Sequence, residues 1–250
     1  MAGLSERMIA VAGMVTPGKK VADIGCDHAY TAIYLASEGI ASKVYAMDVA
    51  AGPLEIGRRN VRAAGLEEKI ELRLSDGFRA LLPGETDAAV IAGMGGSLII
   101  SILEGGREVI TPGYELILSP QSDQPMVRAY LRNNKYIIKQ EIMIEDQKKL
   151  YNIMRVVYVG EDGFKEEEPG LTDIYDEYGK YMLEHPSEIF TDFLDTDIEK
   201  KKALVERLDG CEGEKAAGRL EIIRQELDLA LKAREYVLGV AYGKGQRDSD

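Results

Sequence analysis

Val21-Ala22-Asp23-Ile24-Gly25-Cys26-Asp27-His28-Ala29-Tyr30 is the stretch whose reading decides the fold. A short apolar run ends in an acidic residue and a glycine, a tight turn follows, and an apolar-periodic segment (Ile33, Leu35, Ala36) takes over at once. That order reads as strand, loop, helix. In doubly wound α/β folds such a turn offers backbone N–H groups to a nucleotide-like ligand at the carboxyl edge of the sheet. About twenty residues further on, Val44-Tyr45-Ala46-Met47 reads as a second strand ending in Asp48, the position whose carboxylate takes ribose hydroxyls.

Outward from this core the same grammar repeats. Leu4, Met8, Val11, Ala12 and Val15 form a helical stripe closed by Thr16-Pro17-Gly18. Ala51-Gly52-Pro53 opens a helix running to Gly65, with proline near its first turn. Ile70 to Leu74 reads as a third strand ending in Ser75-Asp76-Gly77, and Ala88 to Ala92 as a fourth, with Gly93-Met94-Gly95-Gly96 beginning the next helix. Leu116-Ile117-Leu118 is a fifth strand. After one more helix, Tyr136 to Ile144 and Leu150 to Val159 read as two strands joined by a short turn. Strands separated by helices imply parallel pairing, and the terminal hairpin forces antiparallel pairing at one edge. After Gly163 a polar segment, Lys165 to Gly170, leads to a short helix over 172–184 and two long amphipathic helices. Their stripes (Phe190, Leu194, Ile198, Val205, Leu208 and Leu220, Ile223, Leu227, Ala230, Val237) predict an antiparallel, coiled-coil-like hairpin turned at Gly210-Cys211-Glu212-Gly213. It reads either as a stabilising or dimerising appendage or as a binding arm.

The 250 residues carry a net charge of −12, unevenly spread. Residues 1–160 hold 18 basic and 19 acidic side chains, and residues 161–250 hold 13 and 24. The shift predicts a catalytic domain over 1–160 and a helical hairpin domain over 161–250. It also confines any nucleic-acid surface to a local patch. No apolar run approaches the ~20 residues of a membrane span. Met1 to Ala12 lacks a signal-peptide core, so a cytoplasmic protein without membrane contact is expected. Two distant cysteines and two histidines predict neither a disulfide framework nor a metal site. No P-loop and no Ser/His/Asp order is visible.

The glycine loop is not the dinucleotide fingerprint, because Gly25 is followed by Cys26, Asp27, His28 and Ala29 rather than by spaced glycines. A carboxylate at Asp27 is unfavourable against a pyrophosphate. It suits a ligand with positive charge, such as the ammonium and sulfonium of S-adenosylmethionine. His28 reads equally as a helix cap, a partner for a carboxylate, or a catalytic group.

Asp23 to Tyr30, Ala92-Gly93-Met94-Gly95-Gly96 and Leu118-Ser119-Pro120-Gln121-Ser122-Asp123 resemble the bacterial tRNA adenine-22 N1-methyltransferases (the TrmK type). Asp48-Val49, Gly52-Pro53-Leu54, Asp76-Gly77 and the C-terminal hairpin extend the resemblance over nearly the whole chain. It implies a Rossmann-like α/β fold with a seven-stranded methyltransferase sheet and a C-terminal antiparallel helical hairpin. It also implies S-adenosylmethionine as cofactor, S-adenosylhomocysteine as product, and N1 of a tRNA adenine (adenine 22, in the D-arm region) as acceptor. Carried over by motif, Asp23 and Gly25 shape the cofactor loop, Asp27 with His28 faces the methionine end, Asp48 the ribose, and Asp76 with Gly77 the adenine. Gly93, Met94 and Gly95 complete the cofactor set. Asp27, His28, Tyr30, Met94 and Gln121 form the catalytic set, with Tyr30, Met94 and Gln121 holding or stacking the target base. The glycines at 93–96 also suit a close helix–strand crossing. Arg58, Arg59 and Arg62, then Arg128, Arg132 and Lys135, then Lys200-Lys201-Lys202 are the basic clusters for tRNA, with the Arg128 helix favoured as phosphate contact. The expected state is a monomer or a weak homodimer through the hairpin. A methyltransferase acting on a small molecule or protein, and a non-catalytic cofactor-binding adaptor, are the rival readings.

Overall fold

The computed structural model describes residues 4–164, 170–210 and 213–247. The polar segment at 165–169 and two residues of the hairpin turn, Cys211 and Glu212, lie outside the described residues. The chain divides into two compact units, Met1–Glu166 and Glu167–Asp250.

The first unit is a seven-stranded sheet in the order β3-β2-β1-β4-β5-β7-β6. Its strands are β1 (Lys20–Ile24), β2 (Lys43–Asp48), β3 (Ile70–Leu74), β4 (Ala88–Met94), β5 (Glu115–Pro120), β6 (Tyr136–Asp146) and β7 (Lys149–Tyr158). The first five run parallel, and β7 inserts antiparallel between β5 and β6. Between them lie α1 (Glu6–Gly13), α2 (Tyr30–Ser37), α3 (Ala51–Ala63), α4 (Gly96–Gly105) and α5 (Gln124–Asn133). A short α6 (Gly160–Gly163) follows β7. Parallel strands buried on both faces read as unbroken apolar runs, and Leu116, Ile117 and Leu118 of β5 are fully buried. One core forms beneath α1, α2 and α3, with Val21, Val90, Ile117 and Ile153 pointing into it. The alternate side chains Ala22, Ile91, Leu118 and Met154 feed a second core that includes residues of α4 and α5. The strand order reverses between β1 and β4, and open sheets of this kind bind ligands at that reversal, beyond the carboxyl ends of the strands.

β4 runs to Met94, two residues past the expected end, with a register shift against β5 between Ala92 and Met94. A second departure concerns the basic helix α5. Arg128 is 4% exposed and holds Glu141 of β6 at 2.7 Å, so it is a core ion pair and not a phosphate contact. Lys135 follows the end of α5 beside Tyr158, whose amide bonds to Tyr114 just before β5 begins. That is the sheet edge opposite the carboxyl ends. There Lys135 pairs with Glu161 at 3.7 Å and covers the Phe164 ring.

In the second unit the helix expected over 172–184 is two, α7 (Thr172–Tyr178) and α8 (Lys180–Glu184), broken at Gly179 with φ 81°. α9 (Glu188–Asp209) and α10 (Glu214–Arg247) form the antiparallel hairpin. Asp195 pairs with Arg234 and Asp209 with Arg224, which fixes the antiparallel register. Phe190, Leu194 and Ile198 of α9 and Ile223, Ala230 and Val237 of α10 are buried. Val205, Leu208, Leu220 and Leu227 are only half-buried. Lys201, expected on a basic surface run, is 9% exposed and donates to Asp197 at 2.6 Å and to the Tyr178 hydroxyl at 3.1 Å. One lysine of the Lys200–Lys202 run is therefore committed to joining α9 to α7.

Candidate active site

The loop after β1 follows a tightly determined path. Gly25, Asp27 and Ala29 have φ of 74°, 49° and 61°. For a residue with a Cβ, left-handed backbone costs about 1–2 kcal/mol, so the surroundings must impose it. They do so from two elements. The Met47 carbonyl of β2 accepts from the Gly25 and Cys26 amides at 2.8 and 2.9 Å. Asp48 Oδ2 accepts from the Asp27 amide at 3.0 Å, while Oδ1 accepts from the Ala50 amide at 2.8 Å. On the other side, Asn60 of α3 donates from Nδ2 to the His28 carbonyl at 3.0 Å. Each Asp48 oxygen takes one backbone amide, which leaves lone pairs on both for further donors.

This loop forms one wall of a cleft of about 420 Å³ beyond the carboxyl ends of β1 and β4. Of the residues expected in the site, Asp23, Gly25, Asp27, His28, Tyr30, Gly93 and Gln121 line it. Asp48 stands behind the wall and holds Asp27 from there. Asp76, Gly77, Met94 and Gly95 are not brought into the wall, each for a visible reason. The Asp76 carboxylate pairs with Arg79 at 3.1 Å on the surface. Gly77, at φ 60°, tucks against Ile102 of α4. Met94 backs Gly25, where its terminal methyl fills the place a Cβ would take. Gly95 caps α4 beside the Ser122 hydroxyl.

Asp23 is the buried acid of the cleft. It is 4% exposed, and its Oδ2 has no hydrogen-bond partner. Burial, with a smaller push from Asp48 and against a backbone bond from Ala32, raises its pKa from the ordinary 3.8 to about 7. Burial likewise drives the Cys26 thiol far up, so it stays protonated and unreactive. At the mouth, the Asp27 carboxylate is 69% exposed and lies 3.5 Å from His28 Nε2. The His28 ring meets the exposed Tyr30 ring edge-on at 6.0 Å. Among the described residues, no group of three or more His, Cys, Asp and Glu could hold a metal ion, and no helix is long and apolar enough to cross a membrane.

Sequence reasoning missed the part of the lining that comes from the start of α1, with Ser5, Arg7 and Met8. The signal was present. On a helical wheel Arg7 falls beside Leu4 and Val11, within the apolar stripe rather than opposite it.

The glycine run divides its labour. Gly93 is exposed at φ 80°, and a Cβ there would stand 3.9 Å from Gln121 and 4.0 Å from Arg7, within the cleft. At Gly96 a Cβ would meet the Ser122 carbonyl, Asp123 and Val127, all at 2.9 Å. Gly96→Ala is therefore expected to lower stability by about 1–3 kcal/mol through overpacking, read by chemical denaturation. Gly93→Ala loses about 1–2 kcal/mol to its left-handed backbone and in addition narrows the cleft, so it alone of the two is expected to weaken ligand binding. Equal ligand affinity in the two variants would contradict this division.

A methyltransferase-domain family model matches residues 4–154. A Bacillus subtilis protein named tRNA (adenine(22)-N(1))-methyltransferase is 37% identical over 151 residues, 60% of this chain and 63% of its own length. The alignment thus spans less than two thirds of that relative. The crystal structure of the B. subtilis m1A22 tRNA methyltransferase TrmK superposes with TM-score 0.80 and 27% identity, covering 94% of this chain and 100% of that one. A Streptococcus pneumoniae structure, described as a putative tRNA (m1A22) methyltransferase in complex with S-adenosyl-L-methionine, gives 0.78 and 27%, with 93% and 100% covered. With the family model running through the strands and loops that build the cleft, the chain belongs to the methyltransferase-domain family.

Proposed function

We propose that this protein transfers a methyl group from S-adenosylmethionine to N1 of an adenine in tRNA, adenine 22 being the position named for its relatives. The observation that carries the donor is Asp23, a buried carboxylate with an unpartnered oxygen in a cleft at the topological switch point. An isolated carboxylate of this kind is complementary to an ammonium group. The residues fit the donor elsewhere too. Gly25 lines the cleft with its backbone, and Asp48 has lone pairs for ribose hydroxyls at the end of β2. Residues 1–160 supply the donor site in this reading, and the acidic hairpin over 161–250 supplies a surface for the partner.

When bound, the donor supplies an electrophilic methyl group on a sulfonium centre. The protein's own task is then positioning. N1 of neutral adenine carries a free lone pair, so neither Asp27 nor His28 has a proton to remove. Alignment of two reactants supplies about 7–11 kcal/mol of barrier reduction in well-oriented cases. The Asp27 carboxylate at the mouth stays complementary to positive charge as it moves onto the base. His28 and Tyr30, fixed edge to face, offer a platform for an adenine, and Gln121 supplies both a donor and an acceptor. N1 lies on the pairing edge, so the base must leave its stack to reach them.

The test is methyl transfer from labelled donor to unmodified tRNA, followed by nucleoside analysis. N1-methyladenosine is the expected product, with loss of about 10²-fold or more in rate for Asp27→Ala. Binding of the donor without any methyl reaching tRNA would overturn the acceptor assignment and direct attention to a small-molecule or protein acceptor.

A further inference from the structure

A second cavity, of about 210 Å³, opens at the sheet edge opposite the carboxyl ends, between the loop after α4, the end of α5 and the paired ends of β6 and β7. Tyr136 begins β6 and faces Tyr158 of β7, with ring centroids 4.9 Å apart. Tyr136 is 6% exposed, yet its hydroxyl has no hydrogen-bond partner among the described residues. Burial pushes this phenol well above the usual tyrosine range, so it stays protonated and able to donate. The Tyr158 hydroxyl is likewise without a partner among the described residues. Tyr130 of α5 extends the aromatic wall 6.5 Å from Tyr136, and its hydroxyl takes a hydrogen bond from Arg107. That bond leaves most of the guanidinium free, and Arg107 pairs with no carboxylate among the described residues. Lys135 supplies a second cation from the left-handed turn between α5 and β6, where the Val159 amide donates to its carbonyl at 3.1 Å. Its partner Glu161, at 3.7 Å, is 83% exposed and stands at the rim.

Among the lining side chains, donors outweigh acceptors, which are Glu161 and the Asn134 side-chain carbonyl. A recess of cations and unpartnered hydroxyls is the negative image of an oxyanion. We propose that this cavity binds the terminal phosphate of a small phosphate monoester, with Arg107 and Lys135 matching its charge and the Tyr136 and Tyr158 hydroxyls donating to its oxygens. Size decides how much of the ester enters. The cavity is smaller than the roughly 300 Å³ at which drug-sized ligand pockets begin, so it holds the phosphate and a short stem lying on the tyrosine rings. A phosphodiester inside an RNA strand carries one charge and is flanked by sugars on both sides. It suits neither the two cations nor the depth of Tyr136. The site lies away from the cleft beyond β1 and β4, so it stands whatever the methyl donor proves to be.

The test titrates the full chain with phenyl phosphate, inorganic phosphate and dimethyl phosphate, following backbone amide shifts by NMR. Arg107→Ala and Tyr136→Phe are compared with the wild type, with melting curves to check folding. Phenyl phosphate and inorganic phosphate are expected to saturate a common set of amides around Arg107, Tyr136 and Tyr158. Dimethyl phosphate, with a single charge, should bind on the order of 10-fold more weakly or worse. Each substitution should weaken phenyl phosphate by about 10-fold or more, and Tyr136→Phe does so by losing the hydroxyl alone. Absence of binding, shifts confined to other surfaces, or equal affinity for the diester in the wild type overturns the proposal without any variant. So does unchanged affinity in either folded variant. Release of bound phenyl phosphate by unmodified tRNA would give the site to an RNA phosphate and overturn the assignment to a small ester.

Discussion

Asp23→Asn is expected to make the ligand-free protein more stable at pH 8 while destroying its grip on the methyl donor. The wild-type carboxyl titrates near 7 in the folded protein against an ordinary 3.8, chiefly because it is buried. A carboxyl raised on folding favours the folded state fully below the unfolded pKa, and that contribution is lost as pH rises through the folded one. The window therefore runs from about pH 4 to pH 7, and the gap is worth about 4 kcal/mol. Above it the wild type carries a buried, uncompensated charge that asparagine removes at nearly constant shape. Denaturation curves should show the variant ahead by up to about 4 kcal/mol at pH 8, with the two proteins converging near pH 4. Donor binding should run the other way. In the wild type, affinity rises about tenfold per pH unit up to about 7 and then levels off, because the ammonium needs the ionised carboxylate. In the variant it is weak and independent of pH across that range. A wild-type affinity flat through pH 7 would separate Asp23 from the ammonium. Equal stability of the two proteins at pH 8 would deny the buried charge.

This tension explains why the site was only partly legible from sequence. The strand-end acids and glycines were readable because their positions follow from the α/β grammar. A strand that ends in Asp23 and Gly25, and another that ends in Asp48, put those groups at one sheet edge whatever the rest of the chain does. Pair partners distant in sequence were not readable. Arg128 looked like a surface charge on an amphipathic helix because its carboxylate, Glu141, sits 13 positions away on a strand. Lys201 looked solvated although Asp197, four residues before it, was in view. What the sequence could not show was that Tyr178 closes over that pair. Gly179 was absorbed into one helix because a single glycine is tolerated inside helical patterns. Only its φ of 81° reveals the break. Arg7 is the instructive miss, since a charge inside an apolar stripe either finds a partner in the core or waits for one from outside.

Arg128 shows the first of those outcomes, and removing its partner should produce the largest loss of stability in the sheet. Glu141 has a fully buried side chain. Its Oε1 and Oε2 accept from Arg128 Nε at 3.1 and 3.2 Å, and Oε1 also accepts from Arg128 Nη2 and from Asn152 Nδ2. The cluster ties α5 to both antiparallel strands, β6 and β7. Glu141→Ala leaves the guanidinium buried without its counter-charge, a change expected to cost about 3–5 kcal/mol. Replacing both partners, Arg128→Met with Glu141→Leu, should recover most of that loss, because ion pairs in dry interiors roughly break even against apolar pairs of similar volume. Denaturation midpoints of the two variants provide the measurement, and a double variant no better than Glu141→Ala would refute the account. The same double variant decides the role of α5 towards tRNA. Were Arg128 bound to an RNA phosphate, its replacement would lower the salt dependence of binding by about one unit of slope. A core ion pair predicts tRNA affinity and salt slope unchanged, because the positive charge it removes never faced the solvent.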